Sequence, residues 1–185
     1  MGHVEKMNVE NIIRNALPVY KDWPKPGINY LNTVDLCNDP LAFRTSVEWF
    51  YQLAATSDKD YIFAADARGF IWASPVAYRL GIPLYTIRKK GKMPGDLYSI
   101  DYELEYGTDT LELRKFKINT GSVLIVDDVL ATGGTAEAMC KLVHQLGVPY
   151  ANMTVACIIN ISFLPGKQKL RDLGVNVRTI IDVYE

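Results

Sequence analysis

Five short apolar runs are spaced along the chain from residue 61 onward, and helical patterns separate most of them. The runs are YIFAAD at 61–66, PLYTI at 83–87, VLIVDD at 123–128, MTVACII at 153–159 and VRTIIDVY at 177–184. Strands that are apolar at nearly every position are buried on both faces, which is typical of a parallel sheet covered by helices. The sequence therefore predicts an α/β fold, with a mainly parallel sheet flanked by helices.

Helical patterns lie before and between these runs. Asp39-Pro40 is a typical helix start, and the apolar residues from Phe43 to Tyr51 recur at helical spacing, which predicts a helix over 40–56. Further helices are predicted through Val76 and Leu80, over 134–146, and in a short segment that ends at Leu173.

Length and composition limit the classes of protein to consider. The 185 residues suffice for one compact domain, and 20 basic against 21 acidic side chains give a net charge of -1, which argues against nucleic-acid binding. The N-terminal residues lack a continuous apolar stretch, so we expect no signal peptide and no membrane span. The widely spaced Cys37, Cys140 and Cys157 are typical of reduced thiols and a cytoplasmic location. With only two histidines, any bound metal would be a hard cation held by oxygen ligands.

One segment departs from the alternation of apolar runs and helices. Residues 96–115 alternate polar and apolar side chains around the triplet Gly107-Thr108-Asp109, which predicts a β-hairpin with its turn at 107–109. Polar excursions from an α/β domain are commonly mobile covers over an active site. We therefore expect this hairpin to act as a flap.

The stretch at 123–135, VLIVDDVLATGGT, is followed directly by a helical pattern. It predicts a strand, a loop of small residues and a helix. Small side chains allow an anion to reach backbone N–H groups at the helix N-terminus, and threonine hydroxyls add donors. The predicted phosphate-binding residues are Ala131, Thr132, Gly133, Gly134 and Thr135.

Two carboxylates, Asp127 and Asp128, end the same strand. Ligands of open α/β sheets bind at the carboxyl ends of the strands, where paired carboxylates can accept hydrogen bonds from a vicinal diol. Alone, an acidic pair can simply end a strand, and two glycines can simply form a turn. In this order before a helix, the features favour a site for a sugar phosphate such as ribose 5-phosphate. The loop is not a Walker A motif, because Thr135 stands where that motif needs lysine.

Two basic features follow other predicted strands. Asp66-Ala67-Arg68-Gly69 follows YIFAA and brings a cation and free N–H groups to a second carboxyl edge, although a surface arginine at a strand end is the alternative. A cluster of positive charge follows PLYTI and consists of Arg88, Lys89, Lys90 and Lys92. Such a cluster favours binding of a polyanion such as pyrophosphate, although a solvated basic turn is the alternative.

These motifs together resemble those of the type I phosphoribosyltransferases. VLIVDDVLATGGT matches the family's phosphoribosyl pyrophosphate signature, and the similarity extends along nearly the whole chain, through WPKPGI at 23–28, ADARGF at 65–70, IRKKGKMPG at 87–95 and YELEYGTDTLEL at 102–113. The resemblance implies the type I phosphoribosyltransferase fold in a single domain over 1–185. Within it, a hood covers about residues 1–38 and a flexible hairpin flap about residues 94–116.

The resemblance is closest to the family members that act on adenine. It implies transfer of the 5-phosphoribosyl group from phosphoribosyl pyrophosphate to N9 of adenine, which yields AMP and pyrophosphate in purine salvage. It also implies Mg2+ held mainly by substrate oxygens, and a homodimer.

The resemblance also assigns roles to individual residues. Asp127 and Asp128 would bind the ribose hydroxyls, and the loop at 131–135 the 5-phosphate. Arg68, in a loop with a non-proline cis peptide at Asp66-Ala67, would contact pyrophosphate. Arg88 would lie at the pyrophosphate, and Lys92 would reach it from the neighbouring subunit.

A second group of implied residues concerns the base. Glu105, beside Tyr106 on the flap, would hydrogen-bond N7 of adenine and help to move its proton. Asn29, Tyr30 and Leu31 would contribute backbone and apolar contacts, with Ile161 on the opposite ring face. The sequence departs from the family pattern F-R-D-I-[ST]-P, which appears as YLNTVD at 30–35, and Asn160 stands where an acidic residue is common.

Two alternatives remain open at this level. One is a phosphoribosyltransferase for another purine base, although Ala131 stands where the hypoxanthine-guanine enzymes usually carry an acidic residue. The other is a non-catalytic regulator that binds phosphoribosyl pyrophosphate, against which the intact LEYG segment and the near-neutral charge argue.

Overall fold

A mixed sheet with helices on both faces forms the centre of a computed structural model that describes residues 3–104, 107–119 and 121–184. Short 3-10 helices at Thr33–Asn38 and Tyr150–Asn152 supplement the main elements. In chain order these are α1 (His3–Ala16), β1 (Val19–Tyr20), β2 (Tyr30–Leu31), α2 (Pro40–Thr56), β3 (Tyr61–Ala65), α3 (Gly69–Leu80), β4 (Leu84–Lys89), β5 (Leu97–Leu104), β6 (Gly107–Arg114), β7 (Val123–Leu130), α4 (Gly134–Gln145), β8 (Met153–Ile161), α5 (Gly166–Asp172) and β9 (Asn176–Val183).

The order of the strands across the sheet creates a natural binding position. Within the described residues the order is β5-β6-β4-β3-β7-β8-β9, and the five strands from β4 to β9 in this order are parallel. The chain moves from β3 outward to β4 on one side, and from β7 outward to β8 and β9 on the other. Connections therefore diverge between β3 and β7, and a crevice at such a point is where open α/β sheets bind ligands.

Two apolar cores lie on opposite faces of the sheet. Phe50 of α2 and Trp72 of α3 are fully buried on one face, where the Trp72 indole N–H donates to Ser46 Oγ at 2.9 Å. Met139 and Leu142 of α4 are fully buried on the other face. Helices cover both faces, as the continuous apolar strands predict.

Most predicted elements are confirmed, including the helix over 40–56. Its start is fixed by Asp39, whose carboxylate accepts hydrogen bonds from the backbone N–H groups of Leu41 and Ala42 at 2.8 and 3.0 Å. Helix α1 is an element that the periodicity did not predict. It is held by tertiary packing, with Ile13 fully buried.

The hairpin is confirmed, but the predicted turn at Gly107-Thr108-Asp109 is wrong. These three residues begin β6 and pair with Leu104, Glu103 and Tyr102, so they belong to a strand and not to a turn. The hairpin is also continuous with the main sheet, because β6 pairs with β4 in antiparallel orientation.

Two further observations concern the whole described chain. Cys37, Cys140 and Cys157 are free thiols, and the last two are buried. In the part of the chain that the structure describes, every helix is too short or too polar to cross a membrane.

The division into a hood and a flap within one domain stays a prediction.

Candidate active site

A cavity of about 350 Å³ opens at the carboxyl ends of β3 and β7. Because Ala64 pairs with Val126 in parallel register, the residues that follow both strands meet at this edge. The described lining consists of Arg68, Asp127, Val129, Leu130, Ala131, Thr132, Gly133, Gly134, Thr135 and Ala136. Asp127, the small-residue loop and an arginine therefore share one cavity of a size typical of small-molecule sites. The prediction that Asp127 and Asp128 end their strand is wrong, because β7 continues to Leu130.

The small-residue loop owes its shape to glycines. Gly133 precedes α4 with a φ of +86°, a conformation that favours glycine. A Cβ atom at Gly133 would lie 2.7 Å from the Cα of Gly166, and the Gly166 N–H donates to the Ala131 carbonyl at 3.1 Å. This close backbone contact fixes the loop. The first residues of α4 line the cavity, and the N–H groups at a helix N-terminus have no partner within the helix, which suits an anion.

Asp128 lies at the centre of a hydrogen-bond network behind the cavity. Only 1% of its surface is exposed, and its Oδ2 accepts a short hydrogen bond from the Thr33 hydroxyl. Arg68 Nη1 lies 3.1 Å from the same oxygen and donates to the Tyr30 hydroxyl at 3.3 Å. The buried carboxylate is thus compensated by a cation and a hydroxyl.

Asp127 has a different environment from its neighbour. It lines the cavity, and its Oδ1 accepts the Asp128 backbone N–H at 2.9 Å. Burial, and then the adjacent Asp128 charge, raise the pKa of Asp127 well above its usual range. A ligand that donates hydrogen bonds, such as a vicinal diol, would stabilise the ionised form of this carboxylate.

The loop after β3 brings a carboxylate into contact with a cationic side chain. The peptide bond between Asp66 and Ala67 is cis, and Asp66 Oδ2 accepts a hydrogen bond from Arg88 Nε at 2.8 Å. Lys89 forms an ion pair with Asp109 at 3.0 Å. Two cations of the basic cluster are therefore neutralised by carboxylates of the chain itself.

The hairpin contacts the small-residue loop. The Tyr102 ring on β5 lies against the start of α4, where its Cδ2 is 3.6 Å from the position of a Cβ atom at Gly134. A Cβ atom at Gly134 would lie 2.4 Å from the Glu103 carbonyl oxygen, so the backbone of β5 passes directly over the start of α4. Burial is the main cause of a raised Tyr102 pKa.

Residues 36–182 match the phosphoribosyl transferase domain family. The chain belongs to the phosphoribosyltransferase family. An adenine phosphoribosyltransferase of Pectobacterium carotovorum is 40% identical over 172 residues, which are 92% of this chain and 92% of that protein. The crystal structure of the Thermoanaerobacter pseudethanolicus adenine phosphoribosyltransferase is 36% identical, with a TM-score of 0.85, and covers 94% of this chain and 99% of its own.

A third relative was crystallised with ligands. The adenine phosphoribosyltransferase of Saccharomyces cerevisiae, complexed with an iminoalditol bisphosphate and adenine, is 31% identical with a TM-score of 0.85. The alignment covers 95% of this chain and 99% of that chain. These similarities confirm the fold class that the phosphoribosyltransferase signature implied.

Several residues implied by the phosphoribosyltransferase resemblance lie beside this cavity rather than in it. Leu31 and Ile161 are half-buried and pack against the same apolar core. Asn29 and Lys92 are exposed and are not among the described residues that line the cavity. Glu105 and Tyr106 lie outside the described residues, so their roles stay predictions.

Sequence reasoning missed part of the phosphoribosyltransferase site. Val129, Leu130 and Ala136 line the cavity because they flank the predicted motif residues on β7 and α4. Thr33 contacts Asp128 from a distant part of the chain, and Tyr102 on β5 lies against Gly134 at the start of α4. No local pattern marks such contacts, because the fold brings these residues together.

Replacing Asp127 with asparagine is expected to stabilise the ligand-free protein at pH 8. The raised pKa means that the folded state binds more protons than the unfolded state between the ordinary carboxyl pKa and the raised value, so stability falls as pH rises through this range. Asp127→Asn removes the ionisation and therefore this penalty.

Thermal denaturation of both proteins at pH 8 and at pH 4 measures the effect. The Tm of Asp127→Asn should exceed that of the unaltered chain at pH 8. The difference should shrink near pH 4, where the folded-state carboxyl group is protonated and an ordinary carboxyl group of pKa about 4 is already about half protonated in the unfolded state. A lower Tm for the variant at pH 8 would contradict the raised pKa.

Proposed function

We propose that this chain transfers the 5-phosphoribosyl group from phosphoribosyl pyrophosphate to N9 of adenine, which forms AMP and pyrophosphate. The observation that carries the proposal is one cavity that joins the Asp127 carboxylate of β7 to a glycine-lined helix N-terminus. The first group suits a ribose diol, and the second suits its 5-phosphate. Adenine as the base is supported by relatives named adenine phosphoribosyltransferase that align with more than nine-tenths of the chain.

The donor's ribose phosphate would be held at both ends. Asp127 and Asp128 would accept hydrogen bonds from the ribose hydroxyls, so the sugar ring is fixed relative to the sheet. The 5-phosphate would receive N–H donors from the loop at 131–135, and the hydroxyls of Thr132 and Thr135 would add to them. This grip leaves the anomeric carbon free to react.

The pyrophosphate group would lie toward the loop after β3. Arg68 lines the cavity, and the backbone of Asp66-Ala67 directly precedes it, with Arg88 hydrogen-bonded to Asp66. Lys92 would add positive charge from a neighbouring subunit. Cations here stabilise the negative charge that develops as pyrophosphate leaves.

The base would bind under the hood, and the flap would cover it. Departure of pyrophosphate leaves an oxocarbenium-like centre that water would also attack, so a closing flap protects the reaction. Glu105, beside Tyr106, would accept the adenine proton through N7. Asn29 would contribute backbone contacts, with Leu31 and Ile161 on the ring faces.

Mg2+ is part of this proposal as a companion of the donor. The rim of the cavity offers oxygen donors from Asp127, Thr132 and Thr135, the ligand class that Mg2+ prefers. The ion would be held mainly by substrate oxygens and, when bound, would neutralise charge on the pyrophosphate group.

The quaternary structure and location are also proposals. A homodimer would let Lys92 act across the interface, and the mass in solution, measured by light scattering, tests this directly. Three free thiols, Cys37, Cys140 and Cys157, suit the reducing cytoplasm.

A coupled assay with adenine, hypoxanthine and guanine as acceptors tests the function. We expect turnover with adenine, and turnover with the two 6-oxo purines lower by a factor on the order of 100, as expected for loss of matched polar contacts. Equal use of all three bases would contradict the adenine assignment. Binding of phosphoribosyl pyrophosphate without turnover of any base would favour the regulator.

Replacing Glu105 with alanine is expected to lower kcat with adenine by about 100-fold or more, the usual range for loss of a general acid–base group. The KM for phosphoribosyl pyrophosphate should change little, since Glu105 is assigned to the base. Steady-state kinetics with each substrate varied in turn measure this. Glu103→Ala is the matched control, because Glu103 is an exposed carboxylate two positions earlier in the chain. Equal losses in the two variants would contradict the role of Glu105.

A further inference from the structure

Two side-chain hydroxyls of the hood reach the groups assigned to the donor. The Thr33 hydroxyl donates to Asp128 Oδ2 across 95 positions of sequence, and the Tyr30 hydroxyl accepts from Arg68 Nη1 across 38 positions. Both residues lie in the segment where the family pattern F-R-D-I-[ST]-P is altered. Tyr30 stands at the position of Phe in that pattern, and Thr33 stands at the position of Ile. The alteration therefore adds polar contacts to the site.

Thr33 is well suited to fix the direction of a carboxylate. Its side chain is fully buried at the first residue of the 3-10 helix Thr33–Asn38, and a β-branched residue has few χ1 options. Because Asp128 is also buried, its carboxylate has few alternative partners. The Thr33 hydroxyl donates to Oδ2 and the Arg68 guanidinium forms an ion pair with the same oxygen, which leaves Oδ1 and Asp127 to receive the ribose hydroxyls.

Hydrogen bonds and a ring contact hold in place the hood segment that carries these hydroxyls. Asp35 accepts hydrogen bonds from Asn32 Nδ2 at 2.9 Å and from the Tyr20 hydroxyl at 3.0 Å. The ring of Tyr30 packs against that of Trp23, with centroids 4.4 Å apart. Because this segment is held in place, Thr33 and Tyr30 lose little side-chain freedom when they contact Asp128 and Arg68.

We propose that Thr33 and Tyr30 are positioning residues of the donor site, with Thr33 orienting the Asp128 carboxylate and Tyr30 orienting the Arg68 guanidinium. This inference rests on the proposed function, because it deepens the role given to Asp128 and Arg68. The hood that is assigned to the base then also shapes the site for ribose and pyrophosphate. Binding of the donor then depends on residues of the hood.

The test compares Thr33→Val, which removes the hydroxyl at nearly constant shape, with Thr33→Ser, which keeps it. Titration calorimetry with phosphoribosyl pyrophosphate and Mg2+, without base, gives the donor Kd. Steady-state kinetics give the KM of each substrate. We expect Thr33→Val to raise the donor Kd and KM by on the order of tenfold, as for loss of a hydrogen bond to a charged group. Thr33→Ser should stay within about twofold, and the KM for adenine should be unchanged.

A purely structural role for Thr33 predicts another result. A destabilised variant loses active protein, so its kcat falls while the donor KM is kept. Thr154→Val is the matched control, because Thr154 is a buried threonine whose hydroxyl accepts from Lys59 Nζ at 2.9 Å near the start of β8, away from the cavity. Its donor KM should equal that of the unaltered chain.

Tyr30→Phe provides an independent variant that keeps the contact with Trp23. We expect a smaller rise in the donor KM, about threefold, because the 3.3 Å hydrogen bond joins Tyr30 to a partly exposed arginine. In an Asp128→Asn background, Thr33→Val should have little further effect, since the two residues act as one unit.

The outcomes separate the inference from the function on which it rests. An unchanged donor Kd and KM in both Thr33→Val and Tyr30→Phe, with the unaltered chain active, would overturn the inference alone. Should Thr33→Val fail to fold, the Tyr30→Phe result decides. Absence of donor binding by the unaltered chain would contradict the proposed function, and the inference with it.

Discussion

Replacing Gly133 with alanine is expected to lower kcat/KM for phosphoribosyl pyrophosphate by about 100-fold or more, as when binding groups are displaced by about 1 Å. Two physical reasons act at this position. The φ of +86° is unfavourable for alanine, and the added Cβ would lie 2.7 Å from the Cα of Gly166, which is backbone and cannot rotate away. The loop must therefore shift, and its N–H groups leave the position that the 5-phosphate requires.

Gly174→Ala is the matched control for this change. Gly174 has a φ of +83°, but a Cβ there would meet no atom within 4 Å. Both variants should lose stability by about 1 kcal/mol from the backbone conformation alone, and only Gly133→Ala should lose donor binding. Kinetics and thermal denaturation of the two variants separate these effects. Unaltered kinetics in Gly133→Ala would show that the loop does not hold the phosphate.

Replacing Arg68 with alanine is expected to impair both activity and folding. It removes the cation assigned to pyrophosphate, so kcat/KM should fall by about 100-fold or more. It also leaves Asp128 buried without its ion pair, which should reduce the free energy of unfolding by about 1–3 kcal/mol, given the partial exposure of Arg68. Steady-state kinetics and urea denaturation measure the two losses.

A double variant and a control distinguish the two roles of Arg68. In Arg68→Ala/Asp128→Asn no buried charge is left unpaired, so stability should recover while activity stays low. Arg79→Ala removes an exposed arginine that pairs with Glu48 on the far side of α3, and it should leave activity unchanged. Equal stability of Arg68→Ala and the unaltered chain would contradict the compensation of Asp128 by Arg68.

The secondary structure was predictable where the residues of a segment show by their own pattern that the segment is buried. The five apolar runs and most of the helices are confirmed, because strands buried on both faces need apolar residues at nearly every position. Helix α1 was not predictable in the same way, because its apolar residues are scattered and the helix is stabilised by packing against the core that buries Ile13. The hairpin turn was misplaced because Gly107 suggests a turn, although the cross-strand register places it in β6.

The site was predictable where its residues lie on one motif. Asp127 and the loop at 131–135 line the cavity, because a strand, a loop and a helix place consecutive residues around one point. The partners of Asp128 were not predictable, since Thr33 contacts it from 95 positions away. Neither a threonine nor a tyrosine in a turn-rich segment has a local signature for such a role.

Calorimetric titration of the unaltered chain with phosphoribosyl pyrophosphate and Mg2+, combined with amide hydrogen exchange, tests the central claim most directly. The account predicts saturable binding and slower exchange at residues 127–135, and neither effect in Gly133→Ala. Binding that protects a different part of the chain, or no binding at all, would contradict the assignment of the donor to this cavity.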